Sequence, residues 1–158
     1  MSRLIYIETS IPSFYFDTRS VVELRARHNW TLRWWDEPVA GDERVTSSVV
    51  LEELERAPEP KRRQCLALIG KLPLLPYTDE VAEIVETYHH HKVMPAEASA
   101  DADHLALATF HRCDMLVTWN CQHIANANKV PHIRRINALL GYETPQLVTP
   151  LELLSPHK

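Results

Sequence analysis

Acidic residues recur in this chain where short, β-prone apolar runs give way to helical stretches. Glu8 follows Leu4-Ile5-Tyr6-Ile7, and Glu52 and Glu53 lie in the stretch after Val45-Thr46-Ser47-Ser48. Asp101 and Asp103 open an alanine- and leucine-rich segment, and Asn120 follows Met115-Leu116-Val117-Thr118 by two residues. In open parallel sheets ligands bind beyond the carboxyl ends of the strands. A single acid at a helix start serves as a cap as readily as a ligand. Acids and one amide brought to one sheet end from separate segments are a different case. Carboxylate and carbonyl oxygens are the donors preferred by Mg²⁺ and Mn²⁺. Such an ion neutralises a phosphodiester, lowers the pKa of an attacking water and stabilises the leaving oxygen. Without a cation, several carboxylates close together repel and some take up protons.

Two of these positions have a neighbour that competes for the same role. Glu52 and Glu53 point about 100° apart on a helix, and Asp101 and Asp103 about 200° apart, so only one of each pair faces a given spot. Ser10 and Thr118 carry hydroxyls beside the acids and could fix a carboxylate rotamer. His104 is expected to be packed and hydrogen-bonded, and His123, three residues after Asn120, to lie at the rim. Trp119 is the better candidate for stacking on a base. His89-His90-His91-Lys92 reads as a solvated helix end, because consecutive helical residues point in different directions. Lys61-Arg62-Arg63 reads as a solvated helix face, and Cys121 as a small apolar filler. No serine–histidine or cysteine–histidine couple stands out, and no D-x-D follows the first strand, which argues against a metal phosphatase.

The elements that would position these groups alternate from end to end. Strands are expected at 4–7, 45–48, 115–118 and 146–149, with a weak, proline-flanked edge strand at 72–76. Helices are expected over 14–36, 49–57, 60–71, from Thr78, over 96–111, 121–128 and 133–140, with Gly141 as a stop and a last helical turn at 150–153. Strands alternating with helices predict an α/β three-layer fold around a central parallel sheet of about five strands. No linker, repeat or low-complexity tract divides the 158 residues, so one domain over 1–158 is expected.

Composition sets bounds on function. The hydrophobic fraction of 45% and charged fraction of 24% are ordinary globular values. The three glycines, Gly41, Gly70 and Gly141, are too far apart for a dinucleotide-binding or phosphate-binding glycine loop. No apolar run approaches the ~20 residues of a membrane span, and the first residues lack the apolar stretch of a signal peptide. Cys65, Cys113 and Cys121 form no C-x-x-C pair, so a reduced, cytoplasmic protein is expected. Net charge is −4, from 21 acids and 17 bases, which argues against nucleic-acid affinity from an overall basic surface. It leaves room for an enzyme that binds nucleic acid through a local patch and a bound metal.

Four blocks in order resemble the PIN-domain family, the fold of many toxin ribonucleases of bacterial and archaeal toxin–antitoxin pairs. Tyr6-Ile7-Glu8-Thr9-Ser10-Ile11 resembles its Y-[LI]-[DE]-T-[NST]-I opening, and Thr46-Ser47-Ser48-Val49-Val50-Leu51-Glu52-Glu53-Leu54 its S-x-x-x-L-x-E-L block. Asp101-Ala102-Asp103-His104-Leu105-Ala106 resembles its D-A-L-H-L-A helix, and Leu116-Val117-Thr118-Trp119-Asn120 its L-V-T-x-[DN] strand end. The resemblance implies a PIN-like domain that cuts RNA with Mg²⁺ or Mn²⁺. It implies that Glu8, Glu53, Asp101 and Asn120 are the catalytic and metal-holding residues. Two positions depart from the commonest pattern: Glu8 stands where Asp is usual, and Asn120 where many members have Asp. These departures are the ground for the alternative, a catalytically impaired PIN-like module that binds RNA or a protein.

The resemblance also implies partners: an RNA substrate, an antitoxin protein, a second copy in a homodimer, and no membrane. Trp30, Leu32, Trp34 and Trp35 span too wide an arc of one helix to face a single core. At least one of these tryptophans is therefore expected at a contact with a partner.

Overall fold

The computed structural model describes residues 2–154. Its centre is a five-stranded, all-parallel sheet. The strands are β1 (Arg3–Ile7), β2 (Asp42–Ser47), β3 (Leu74–Leu75), β4 (Met115–Val117) and β5 (Gln146–Val148), in the order β3-β2-β1-β4-β5. Seven helices among the described residues flank it: α1 (Ser10–Tyr15), α2 (Val22–Asp36), α3 (Ser48–Glu55), α4 (Lys61–Ile69), α5 (Asp79–His90), α6 (Ser99–Phe110) and α7 (Val130–Leu140). A 3₁₀ turn at Pro150–Leu153 closes the described chain. This is the three-layer α/β/α arrangement expected from the alternation of elements.

The central strand has the sequence such a position demands. Covered on both faces, β1 buries Ile5, Tyr6 and Ile7 in succession, and β4 buries Met115, Leu116 and Val117. The two-residue β3 lies at the sheet edge between Pro73 and Pro76, where a missing N–H costs no ladder bond. In α6, Ala102 and the run Leu105-Ala106-Leu107-Ala108 are all buried, the pattern of a helix covered nearly all round. α7 stops at Gly141, whose φ of 87° suits a residue without Cβ.

Three expectations from the sequence need correction. The helix over 14–36 is two helices, α1 and α2, separated by 16–21. Asp17 makes the break: its Oδ1 accepts the Arg19 N–H at 2.8 Å, a side-chain turn that competes with helix. Its Oδ2 takes the Arg19 guanidinium at 2.9 Å, and Arg25 donates to its backbone carbonyl. The helix over 121–128 is instead a set of turns. Asn120 and Asn126 bind nearby backbone N–H groups through Oδ1, at 2.9 Å each, and draw the chain out of helical geometry. Cys121, expected as an apolar filler, is exposed on the first of these turns.

Candidate functional site

The strand order places β1 between β2 and β4, so successive connections leave β1 in opposite directions. Ligands bind in such sheets at the carboxyl end of this switch point. Glu8 is the first residue after β1, and Thr118 the first after β4. Glu8 is 5% exposed. Its Oε1 accepts from the Thr118 hydroxyl at 2.7 Å, from the Ser10 N–H at 3.0 Å and from the Ser10 hydroxyl. The two hydroxyls in turn accept the N–H groups of Asn120 at 2.9 Å and Trp119 at 2.8 Å. The ends of β1 and β4 are thereby locked around one carboxylate oxygen. The other, Oε2, takes no hydrogen bond from the described residues.

Glu53 arrives from the last turn of α3. Glu52 is exposed, whereas Glu53 turns inward. Its Oε1 accepts the Thr9 hydroxyl at 2.5 Å and the Nε2–H of His104 at 2.6 Å. A carboxylate only accepts, so Nε2 carries a proton. The opposite nitrogen, Nδ1, lies 2.8 Å from the Tyr6 hydroxyl, which lies 2.7 Å from the Ser47 hydroxyl. Ser47, Tyr6, His104, Glu53 and Thr9 thus form a continuous polar chain through the core, built from β2, β1, α6, α3 and the β1–α1 turn.

Asp101 sits in the first turn of α6, three residues before His104. Its Oδ2 accepts the Nδ1–H of His123 at 2.8 Å, and both side chains are partly exposed. Asp103 accepts the Tyr77 hydroxyl at 2.7 Å, and its charge also couples to those of His104, His89 and Glu53. Asn120 Oδ1 accepts the His123 N–H, so this amide shapes the turn that presents the histidine to Asp101.

The electrostatics bring the three carboxylates together. Burial alone would push the His104 imidazole down. Its hydrogen bond to Glu53 and the charges of Glu8, Glu53 and Asp101 overcome this and hold it above the usual histidine range. Burial likewise pushes the Glu53 carboxyl up, and the bond from His104, the His104 charge and the Thr9 hydroxyl reverse that and hold it low. Glu8, Glu53 and Asp101, from three chain segments, therefore act on one buried imidazole, and Asp103 couples to it as well.

The donor chemistry fits a hard cation. Glu8 Oε2, Glu53 Oε2 and Asp101 Oδ1 take no hydrogen bond from the described residues, while each carboxylate's other oxygen is anchored. As the side chains stand, no group of three or more histidine, cysteine, aspartate or glutamate residues among the described residues is placed to hold a metal ion. An ion held here would take water as its remaining ligands, as Mg²⁺ commonly does.

Several residues have roles the sequence did not disclose. Tyr6, Thr9 and Ser47 support Glu53 and His104. The signal for Tyr6 was its own hydroxyl: a tyrosine inside an apolar strand needs a polar partner. Trp119, expected as a stacking surface for a base, is instead buried. Its indole N–H donates to the Thr31 hydroxyl at 2.8 Å, Trp30 stacks on it at 6.1 Å, and the Arg27 guanidinium lies 5.2 Å above its ring.

No protein-family model matches the chain, and no curated protein matches it significantly. Among the described residues no helix is long and apolar enough to cross a membrane.

Proposed function

We propose that the chain is a metal-dependent endoribonuclease of the PIN-domain kind, hydrolysing RNA phosphodiester bonds. The observation that carries this reading is the arrival of Glu8, Glu53 and Asp101 from three segments at the β1/β4 switch point, all acting on His104. A bound Mg²⁺ or Mn²⁺ supplies neutralisation of the phosphodiester and a more acidic water. Glu8, Glu53 and Asp101 hold that ion through the oxygens that face away from their anchors. Asn120 assists as the fourth residue by setting the 120–123 turn and with it the position of His123. Glu8 in place of the commoner aspartate is accommodated by three hydrogen bonds that fix its longer side chain.

The same resemblance carries the rest of the proposal: a cytoplasmic location, an antitoxin protein as inhibitor and a homodimer as the assembly. The tryptophans are covered by their own chain to different degrees, and Trp30 and Trp35 stay partly exposed for such a contact. Trp34 is buried, Trp30 packs on Trp119, and the Arg44 guanidinium lies 4.4 Å and 4.5 Å from the Trp34 and Trp35 rings.

Binding of the ion is tested by titrating Mn²⁺ and recording the melting temperature. Wild type is expected to be stabilised, and Asp101→Asn to lose most of the shift while keeping its circular-dichroism spectrum. RNA binding with no Mn²⁺ response in wild type would instead identify the non-catalytic module. Equal shifts in both proteins would remove Asp101 from the site.

A further inference from the structure

The last turn of α5, the segment after it and the start of α7 surround a cavity of about 460 Å³, lined by His89, Lys92, Met94, Pro95, Ala96 and Lys129. Its charged lining is cationic. The cavity beside α4 includes Glu55 and Glu59, that beside α1 includes Asp17, and that between 112–114 and 143–146 includes Asp114 and Glu143. No carboxylate lines the cavity at α5, and Glu97 beside it stays outside the lining. Neither Lys92 nor Lys129 has an ion-pair partner among the described residues. The His89 ring adds a buried Nδ1 without a hydrogen-bond partner. In a chain of net charge −4, such a wall is suited to an anion.

Backbone hydrogen bonds hold this wall in place. Val93 N–H donates to Tyr88 O at 2.9 Å and Lys92 N–H to His89 O at 3.2 Å, a helix end that puts Lys92 in the left-handed region at φ 54°. His132 Nε2–H donates to His91 O at 2.9 Å and ties the start of α7 to the end of α5.

The cavity also belongs to the segments that build the acidic site. Residues 93–98 run directly into α6, and Asp101 follows Ala98 by three positions. Residues 120–129 begin at Asn120, carry His123 and end at Lys129. We propose that this cavity binds a backbone phosphate of an RNA strand whose scissile bond lies at the acidic site. The inference rests on the ribonuclease reading. A carboxylate centre repels a polyanion, and flanking ammonium groups supply the sequence-independent attraction that holds one. Lysines act here as point charges, without base readout.

The test is fluorescence anisotropy with a labelled single-stranded RNA in EDTA, where metal-dependent cutting is prevented, at several salt concentrations. The Lys92→Ala/Lys129→Ala double variant is expected to bind about tenfold more weakly at low salt. Its plot of log affinity against log salt is expected to be shallower by about 0.7 for each phosphate that is no longer neutralised. Lys92→Arg/Lys129→Arg retains binding, and the Mn²⁺-induced melting shift stays at the wild-type value in both. Wild-type affinity and slope in the alanine variant would overturn the proposal. If wild type binds no RNA, the ribonuclease reading falls and the phosphate class is tested alone. Inorganic phosphate that shifts the Lys92 and Lys129 amide resonances would keep an anion site without RNA, and unshifted resonances would eliminate the anion site too.

Discussion

His104 is fully buried, yet both its ring nitrogens have polar partners, Glu53 on one side and the Tyr6 hydroxyl on the other. Replacing it with alanine leaves a cavity, an unpartnered tyrosine hydroxyl and a carboxylate without its main donor. The expected loss of stability for His104→Ala is about 3 kcal/mol, read by urea unfolding. His104→Gln keeps an N–H donor and is expected to lose less. The pair also sets a pH dependence. Glu53, held below its ordinary value of 4.5, stabilises the fold above that pH, and the contribution fades as pH falls through the lowered folded value. His104, held above its ordinary value of 6.5, stabilises the fold below that pH, and the contribution fades as pH rises through the raised folded value. Their joint contribution is therefore fully present between pH 4.5 and 6.5. Melting temperatures are expected to fall on both sides of that window more steeply in wild type than in His104→Gln. Parallel profiles would show that the pair contributes no pH dependence.

Most elements were legible where periodicity, caps and turn residues agree. The strand at Leu4-Ile5-Tyr6-Ile7 lies inside β1, and the helix opened by Thr78 is α5, with Val81, Ile84 and Tyr88 on its buried face. Thr78 caps that helix by accepting the Val81 N–H at 3.3 Å. Thr78→Ala is expected to cost about 1 kcal/mol, measurable as a lowered denaturation midpoint with an unchanged urea m-value. Legibility failed where side chains compete with the backbone. Nothing in the apolar pattern of 14–36 shows that Asp17 will capture Arg19 and Arg25, and the helix-compatible composition of 121–128 does not show that Asn120, just before it, and Asn126, within it, bind nearby backbone N–H groups. At the candidate site, the place of Glu8 directly after β1 was legible in the sequence. The network behind the acids was not, because Ser47, Tyr6 and His104 meet only through pairing of β1 with β2 and packing of α6, which join residues 41 and 98 positions apart in sequence.

At the scale of the molecule, the parallel sheet gives each part its place. Its interior strands β1 and β4 are buried along their apolar runs, one edge is a two-residue strand between prolines, and its switch point lies where β1 is flanked by β2 and β4. In the tryptophan-rich α2 Trp34 is buried, while Trp30, stacked on Trp119, and Trp35, beside Arg44, are half-buried. The most exposed large apolar side chains among the described residues are Val22, at the start of α2, at 82% and Leu139 on α7 at 72%. The central claim is that the three acids at the switch point form one metal-dependent phosphodiesterase site. Its most direct measurement is cleavage of a mixed RNA pool by purified protein with Mn²⁺ and with EDTA, for wild type, Glu53→Gln and Asp101→Asn, each first shown to be folded. The account predicts fragments from wild type with Mn²⁺ alone, and at least a hundredfold slower cleavage in both variants, about 2.7 kcal/mol of lost transition-state stabilisation. Cleavage that persists in EDTA, or variants that cut as fast as wild type, would contradict it.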